Sequence, residues 1–186
     1  SKELERQSEI LKETQRAYED CQEQVEQLKS SIDSLSKKKD DLVGLAKGTN
    51  EWKEAVRELN QEVLTLLQTY PELAKYTTNE GGVLTISQEG LDEFYNEQLH
   101  TLGTASDVNM IQEATTLEAK NNKLIEDFFN QYGDRYGLSK QDIEDAINDS
   151  STSLVEGADE LNGAFNQLKS SVDVNKTSID NFSALF

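Results

Sequence analysis

The sequence predicts an all-α protein in which long antiparallel coiled-coil helices at both ends enclose a small helical module with one short β-hairpin. Three observations predict it. Apolar residues recur at alternating three- and four-residue steps over residues 4–42 and again over 147–186. Proline occurs once among 186 residues, at Pro71, so almost nothing interrupts a helix. Between the periodic tracts one stretch, residues 76–86, changes period and sets Thr, Val and Ile around Gly81-Gly82.

The first tract gives an N-terminal coiled-coil helix over 1–47. Its register places Leu4, Leu11, Tyr18, Val25, Ile32 and Lys39 at a, and Gln7, Thr14, Cys21, Leu28, Leu35 and Leu42 at d. Gln7, Thr14 and Lys39 weaken the seam, so the helix needs a partner helix. Gly44 and Gly48 mark its end, with Gly48 as the expected left-handed residue just past the last turn.

A middle module is expected over 48–138. Thr49 caps its first helix, along which Trp52, Val56, Leu59, Val63, Leu66 and Tyr70 step by four and three. Pro71 stops that helix, because the residue before a proline is pushed out of the α region. A β-hairpin follows near 76–86. Two strands alone are marginal in water, so the hairpin must lean on helices. The aromatic residues Trp52, Tyr70, Tyr76, Phe94 and Tyr95 flank it and are expected to pin it there. Ser87 caps the next helix, with an interruption expected at 103–107. The run Tyr132-Gly-Asp-Arg-Tyr-Gly137 reads as a breaker.

Ser139 then caps a C-terminal coiled-coil helix over 139–186, with Asp142 in the position of a capping box. Its seam is Ile147, Ser151, Leu154, Ala158, Leu161, Phe165, Leu168, Val172, Asn175, Ile179, Phe182 and Phe186. The polar stretch 149–153 is the place where this helix would fray or break. Two such end helices most simply return on each other as an antiparallel stalk.

Charge narrows the function. The formal net charge is −18, made of −2 over 1–47, −10 over 48–138 and −6 over 139–186. A surface so acidic lacks the Lys and Arg that neutralise phosphates, so no nucleic-acid partner is expected. No apolar run is long enough to span a membrane. One Cys, Cys21, and one His, His100, leave no Cys-rich zinc site, no His-pair metal site and little room for a His-based triad. The carboxylates at Glu89, Asp92, Asp142 and Glu144 suit the first turns of helices, where the helix dipole favours acids. Gly81-Gly82 lies between strands and lacks the spacing of a phosphate loop. The reading is therefore a non-enzyme, with no catalytic or metal-binding residues, no cofactor and no small-molecule substrate.

The stretch from Gly48-Thr-Asn-Glu-Trp52 through Tyr70-Pro-Glu-Leu73 to Gly82-Val-Leu-Thr-Ile-Ser87 resembles a module of bacteriophage and prophage tail tape-measure proteins. The resemblance covers roughly residues 30–100. It implies a long, mostly helical virion protein of the tail, made in the bacterial cytoplasm, that sets tail length and leaves ahead of the DNA. The chain, which also begins without Met, is expected to be a segment of such a protein.

The leading expectation is a structural coiled-coil segment contributing to tail assembly and genome delivery. Its partners are other proteins or a second copy, met through Leu28, Ile32, Leu35, Leu161, Phe165 and Leu168. The alternative is a stalk-plus-head binding module of a bacterial surface or assembly protein, with Trp52 and Val83 on the head. A pore-forming β-tongue is disfavoured, since Val83-Leu-Thr-Ile86 is short and flanked by Glu80 and Gln88.

Overall fold

The computed structural model describes residues 2–185. The order is helix α1 (Lys2–Val43), helix α2 (Asn50–Thr69), a 3-10 turn (Pro71–Tyr76), strands β1 (Thr77–Glu80) and β2 (Val83–Ile86), and helices α3 (Gln88–Tyr136), α4 (Lys140–Asn148) and α5 (Asp159–Ser183). The chain is mostly helical with one two-stranded antiparallel sheet. It divides into two compact units, Ala17–Ala105 and the combination of Ser1–Arg16 with Ser106–Phe186. Helices α1 and α3 each contribute to both.

In the first unit, the seam of α1 faces inward as its spacing requires. Val25, Leu28 and Leu35 are buried, while Lys39 at a is exposed. Leu28 and Leu35 join Leu59, Val63 and Leu66 of α2, Leu73 of the 3-10 turn, Ile86 of β2 and Leu91 and Phe94 of α3 in one core. Each such side chain contributes on the order of 1.5–3 kcal/mol by leaving water. Lys38, beside the seam, pairs with Glu62 of α2 at 3.0 Å.

The local stops and starts follow chain chemistry. Thr49 caps α2 by accepting the Trp52 N–H at 3.2 Å. α2 ends one residue before Tyr70-Pro71, and the Tyr70 N–H closes the last turn on Leu66 O at 2.8 Å. Burial of Tyr70, and next to it the charge of Glu72, hold its phenol above the usual pKa. The hairpin pairs Thr77 with Ile86 and Glu80 with Val83. Its two-residue turn has φ of 61° at Gly81 and 87° at Gly82. Two successive positive φ angles are what a type I′ turn demands, and glycine adopts them without steric cost. Asn79 Oδ1 accepts the Gly82 N–H at 3.0 Å and fixes the turn.

The hairpin rests on α2 and α3. Val83, Leu84 and the rings of Tyr70, Tyr76 and Tyr95 pack against the core, and Tyr70 meets Phe94 edge-on with centroids 5.1 Å apart. A Cβ on Gly90 would lie 2.2 Å from Cγ of Tyr76, so this turn of α3 admits only glycine.

Three sequence expectations are corrected here. Gly48 does not close α1, which ends at Val43. With φ 89° it shapes the turn leading into α2, where the Thr49 N–H bonds Ala46 O. The interruption expected at 103–107 is absent, and α3 runs unbroken from Gln88 to Tyr136. Gly103 keeps ordinary helical backbone there at a cost of about 1 kcal/mol. The breaker expected over 132–137 acts only at its last residue. Gly137 turns left-handed at φ 64° and the Leu138 N–H reaches back to Gly133 O at 2.9 Å, a Schellman stop.

In the second unit, Ser139 and Asp142 form the expected capping box. The single helix expected over 139–186 is instead two. α4 ends at Asn148, residues 149–158 form a loop, and α5 begins at Asp159. Ser150 takes φ 57°, the one left-handed non-glycine residue among those described, and the Ser151 N–H bonds Ala146 O at 3.0 Å. The loop is tied to α5 by Asn162, whose Oδ1 accepts the Leu154 N–H at 2.8 Å and whose Nδ2 donates to Val155 O at 2.8 Å. Position Phe186 of the expected seam lies outside the described residues.

Ile125, Phe128 and Tyr132 of α3, Ile143 and Ile147 of α4, and Leu161, Phe165, Leu168 and Val172 of α5 form this unit's core. Phe128 stands edge-on to Phe165 at 6.3 Å. Asn121 is buried between α3 and α5, donating to Val172 O and accepting from Asn175 Nδ2 at 2.7 Å. The opening turns of α1 meet α3 through polar groups. Gln112 donates to Gln7 Oε1 at 2.6 Å, and Thr14 donates to Asn109 Oδ1 at 3.2 Å. These bridges join each end helix to α3, antiparallel, rather than to the other end helix.

Candidate functional site

The residues singled out for self-association are core residues. Leu28, Leu35, Leu161, Phe165 and Leu168 are buried, and Ile32 is half-buried against Leu28 and Leu35. A second copy reaches them only if the helices of one chain first part. Val83 is half-buried on the same core. Trp52 is half-buried in the first turn of α2.

The hairpin carries an arrangement that sequence reasoning missed. Asn60, half-buried on α2, donates from Nδ2 to Gly82 O at 2.8 Å and accepts the Leu84 N–H on Oδ1 at 2.8 Å. Its side-chain amide thus behaves as a peptide unit of a third strand and seals the outer edge of β2. On β1, Thr78, Asn79 and Glu80 are exposed. An Asn about three turns before a proline carries no sequence signal for this task. Only the fold places it beside the strand.

A cavity lies wholly within the second unit, where α3, α4 and α5 converge. It encloses about 400 Å³. Ile125, Ile147, Val172 and Ile179 form its floor, and Glu118, Glu144 and Asp180 stand at its walls with Lys176. Lys176 donates to Asn148 Oδ1 at 2.8 Å and so ties α5 to the last turn of α4. Among the described residues no ion pair engages Glu118, Glu144, Asp180 or Lys176. The cleft therefore holds three unneutralised carboxylates against one ammonium. Its lining comes from residues 118–180, too scattered in sequence for a motif to reveal it. The loop at 149–158, of which the sequence marks only the polar stretch 149–153 as a break, is what brings α4 back beside α5.

Other chemistry is sparse. Among the described residues, no group of three His, Cys, Asp or Glu is placed to hold a metal ion. No described helix is long and apolar enough to cross a membrane. Cys21 is a free, half-buried thiol. The pairs Arg6–Glu3, Arg57–Glu54 and Lys123–Asp127 are solvent-exposed neighbours on single helices, the kind that contributes little. Compared with protein-family models, curated proteins and solved structures, the chain matches none.

Proposed function

We propose that this chain is a structural, non-enzymatic helical segment of a larger phage tail protein of the tape-measure type, working in tail assembly and genome delivery. The observation that supports this reading is the way the apolar seams are spent. α1 and α5 each lay their seam against α3 or its neighbours, and the resulting cores are built to hold helices in register. In this reading each end segment forms an antiparallel coiled-coil pair, with α3 as the shared partner helix. The acidic surface suits a protein that lies near DNA without adhering to it. Protein partners, not substrates, are its ligands, and its place is the virion tail.

The test uses particles from the strain that encodes the chain. Peptides of this sequence are expected in purified tails by mass spectrometry. In-frame removal of the segment is expected to shorten tails in electron micrographs. Tails of unchanged length that lack the peptides would overturn the proposal.

A stalk-plus-head binding module of a surface or assembly protein is the second reading, favoured by the exposed strand β1. Cross-links from Lys53 and Lys75, which lie in the head, to a protein other than this one would support it. Cross-links confined to the chain itself would count against it.

A further inference from the structure

We infer that the cleft between α3, α4 and α5 is a docking site for a basic peptide segment of a partner protein, an aliphatic side chain filling the floor and flanking lysines or arginines meeting the walls. The inference stands on the cleft and does not depend on the tail reading.

Size comes first. A volume of about 400 Å³ lies within the roughly 300–1,000 Å³ of sites that hold a compact ligand. The α3 wall runs from Glu118 to Ile125, which at ~1.5 Å per residue is about 10 Å. That is two helical turns, enough for one or two anchoring side chains and too short for a long partner helix.

Chemistry comes second. Ile125, Ile147, Val172 and Ile179 give the cleft an aliphatic lining, and of the amides beside them, Asn121 and Asn122, the buried Asn121 is already bonded to Val172 O and Asn175. The walls carry Glu118, Glu144 and Asp180, and the one cation, Lys176, is held by Asn148. A cationic partner displaces no existing ion pair when it arrives. An acidic peptide would meet the same three carboxylates as repulsion. The complement is thus an apolar anchor with positive flanks.

A short lysine-flanked peptide with two leucines four residues apart is the probe. The measurement is the isoleucine methyl spectrum of the full chain. Saturable shifts confined to Ile125, Ile147 and Ile179 are expected. The double substitution Glu144→Gln with Asp180→Asn should weaken binding at least tenfold, and Glu72→Gln with Glu80→Gln, an equal charge loss in the other unit, should change it less than twofold. The substituted side chains are not core residues, and an unchanged thermal melt verifies folding. Equal weakening by both pairs would show diffuse attraction to an acidic surface and overturn the inference. So would the absence of saturation, or the same saturable shifts from spermidine or from the peptide with alanines in place of its leucines.

Discussion

Asn60 gives the sharpest test of how the hairpin is held. Replacing it with alanine removes the donor to Gly82 O and the acceptor for the Leu84 N–H, both at 2.8 Å. Each bond contributes about 0.5–1.5 kcal/mol, and an N–H left unpaired in a half-buried position adds to the loss. The expected cost is about 2–3 kcal/mol, concentrated on the hairpin. Two kcal/mol is about a thirtyfold change in an equilibrium, so the Leu84 amide should exchange with solvent some thirtyfold faster. Amide exchange followed by NMR reads that residue directly. The single tryptophan, Trp52, on the same helix reports unfolding of the unit by fluorescence. Asn60→Asp separates the two bonds, since it keeps the acceptor for Leu84 but sets a carboxylate against Gly82 O. It should be as damaging as alanine at neutral pH and partly recover once protonated. Leu84 exchange unchanged in Asn60→Ala would refute the view that this side chain stands in for a third strand.

Three further expectations follow from the backbone and the caps. Gly90→Ala should destabilise by about 1–3 kcal/mol despite alanine's helix propensity, because its Cβ would meet the Tyr76 ring. In the Tyr76→Gly background, which removes the Tyr76 Cβ at 2.6 Å as well as the ring, the same change should cost nothing in denaturant unfolding, and a persisting cost would place the strain elsewhere. Ser150→Gly should raise the melting temperature by about 2–4 °C, from roughly 1 kcal/mol of relieved left-handed strain. An unchanged or lower melt would show that the loop at 149–158 tolerates serine there. The Ser139 N–H, then the Ser139 hydroxyl region, hold the Asp142 carboxyl below its ordinary 3.8. A depressed carboxyl adds stability that is present above 3.8 and lost as pH falls through the folded value, so the α4 cap should loosen only below that point. An Asp142 titration at 3.8 or above, or one unmoved by Ser139→Ala, would contradict the capping box.

Local signals in the sequence were read well where one residue decides the backbone. Thr49, Pro71, Gly81-Gly82 and Ser139 each dictate a cap, a stop or a turn through their own chemistry, and all four do so in the fold. The a/d register of the first helix was legible for the same reason, since a side chain's face follows from its position alone. Glycines divided. Gly137 stops a helix and Gly103 does not, and the difference lies in the contacts of the following residues. The C-terminal tract misled because Leu154 and Ala158 kept the heptad rhythm through a loop. Their burial is owed to Asn162 and the core rather than to helical periodicity. Which helix a seam meets is a property of the assembled chain, so the role of α3 as common partner was not legible. The cleft was invisible for the same reason. Of the residues named from the sequence for partner binding, Leu28, Leu35, Leu161, Phe165 and Leu168 are buried in the chain's own cores, while Ile32, Trp52 and Val83 are half-buried.

The polar joint between α1 and α3 has a consequence in time. Gln7 and Gln112 are 105 residues apart in sequence. At roughly 5–20 residues per second, a ribosome needs about 5–20 s to deliver the second after the first. The unit over Ala17–Ala105 is one continuous stretch and is complete within that interval, while the other unit is still waiting for most of its chain. An N-terminal seam of leucines would spend those seconds as an adhesive strip. Gln7 and Thr14 at d leave only Leu4 and Leu11 at a, a narrower strip than leucines at both positions would make, until Asn109 and Gln112 emerge to meet it.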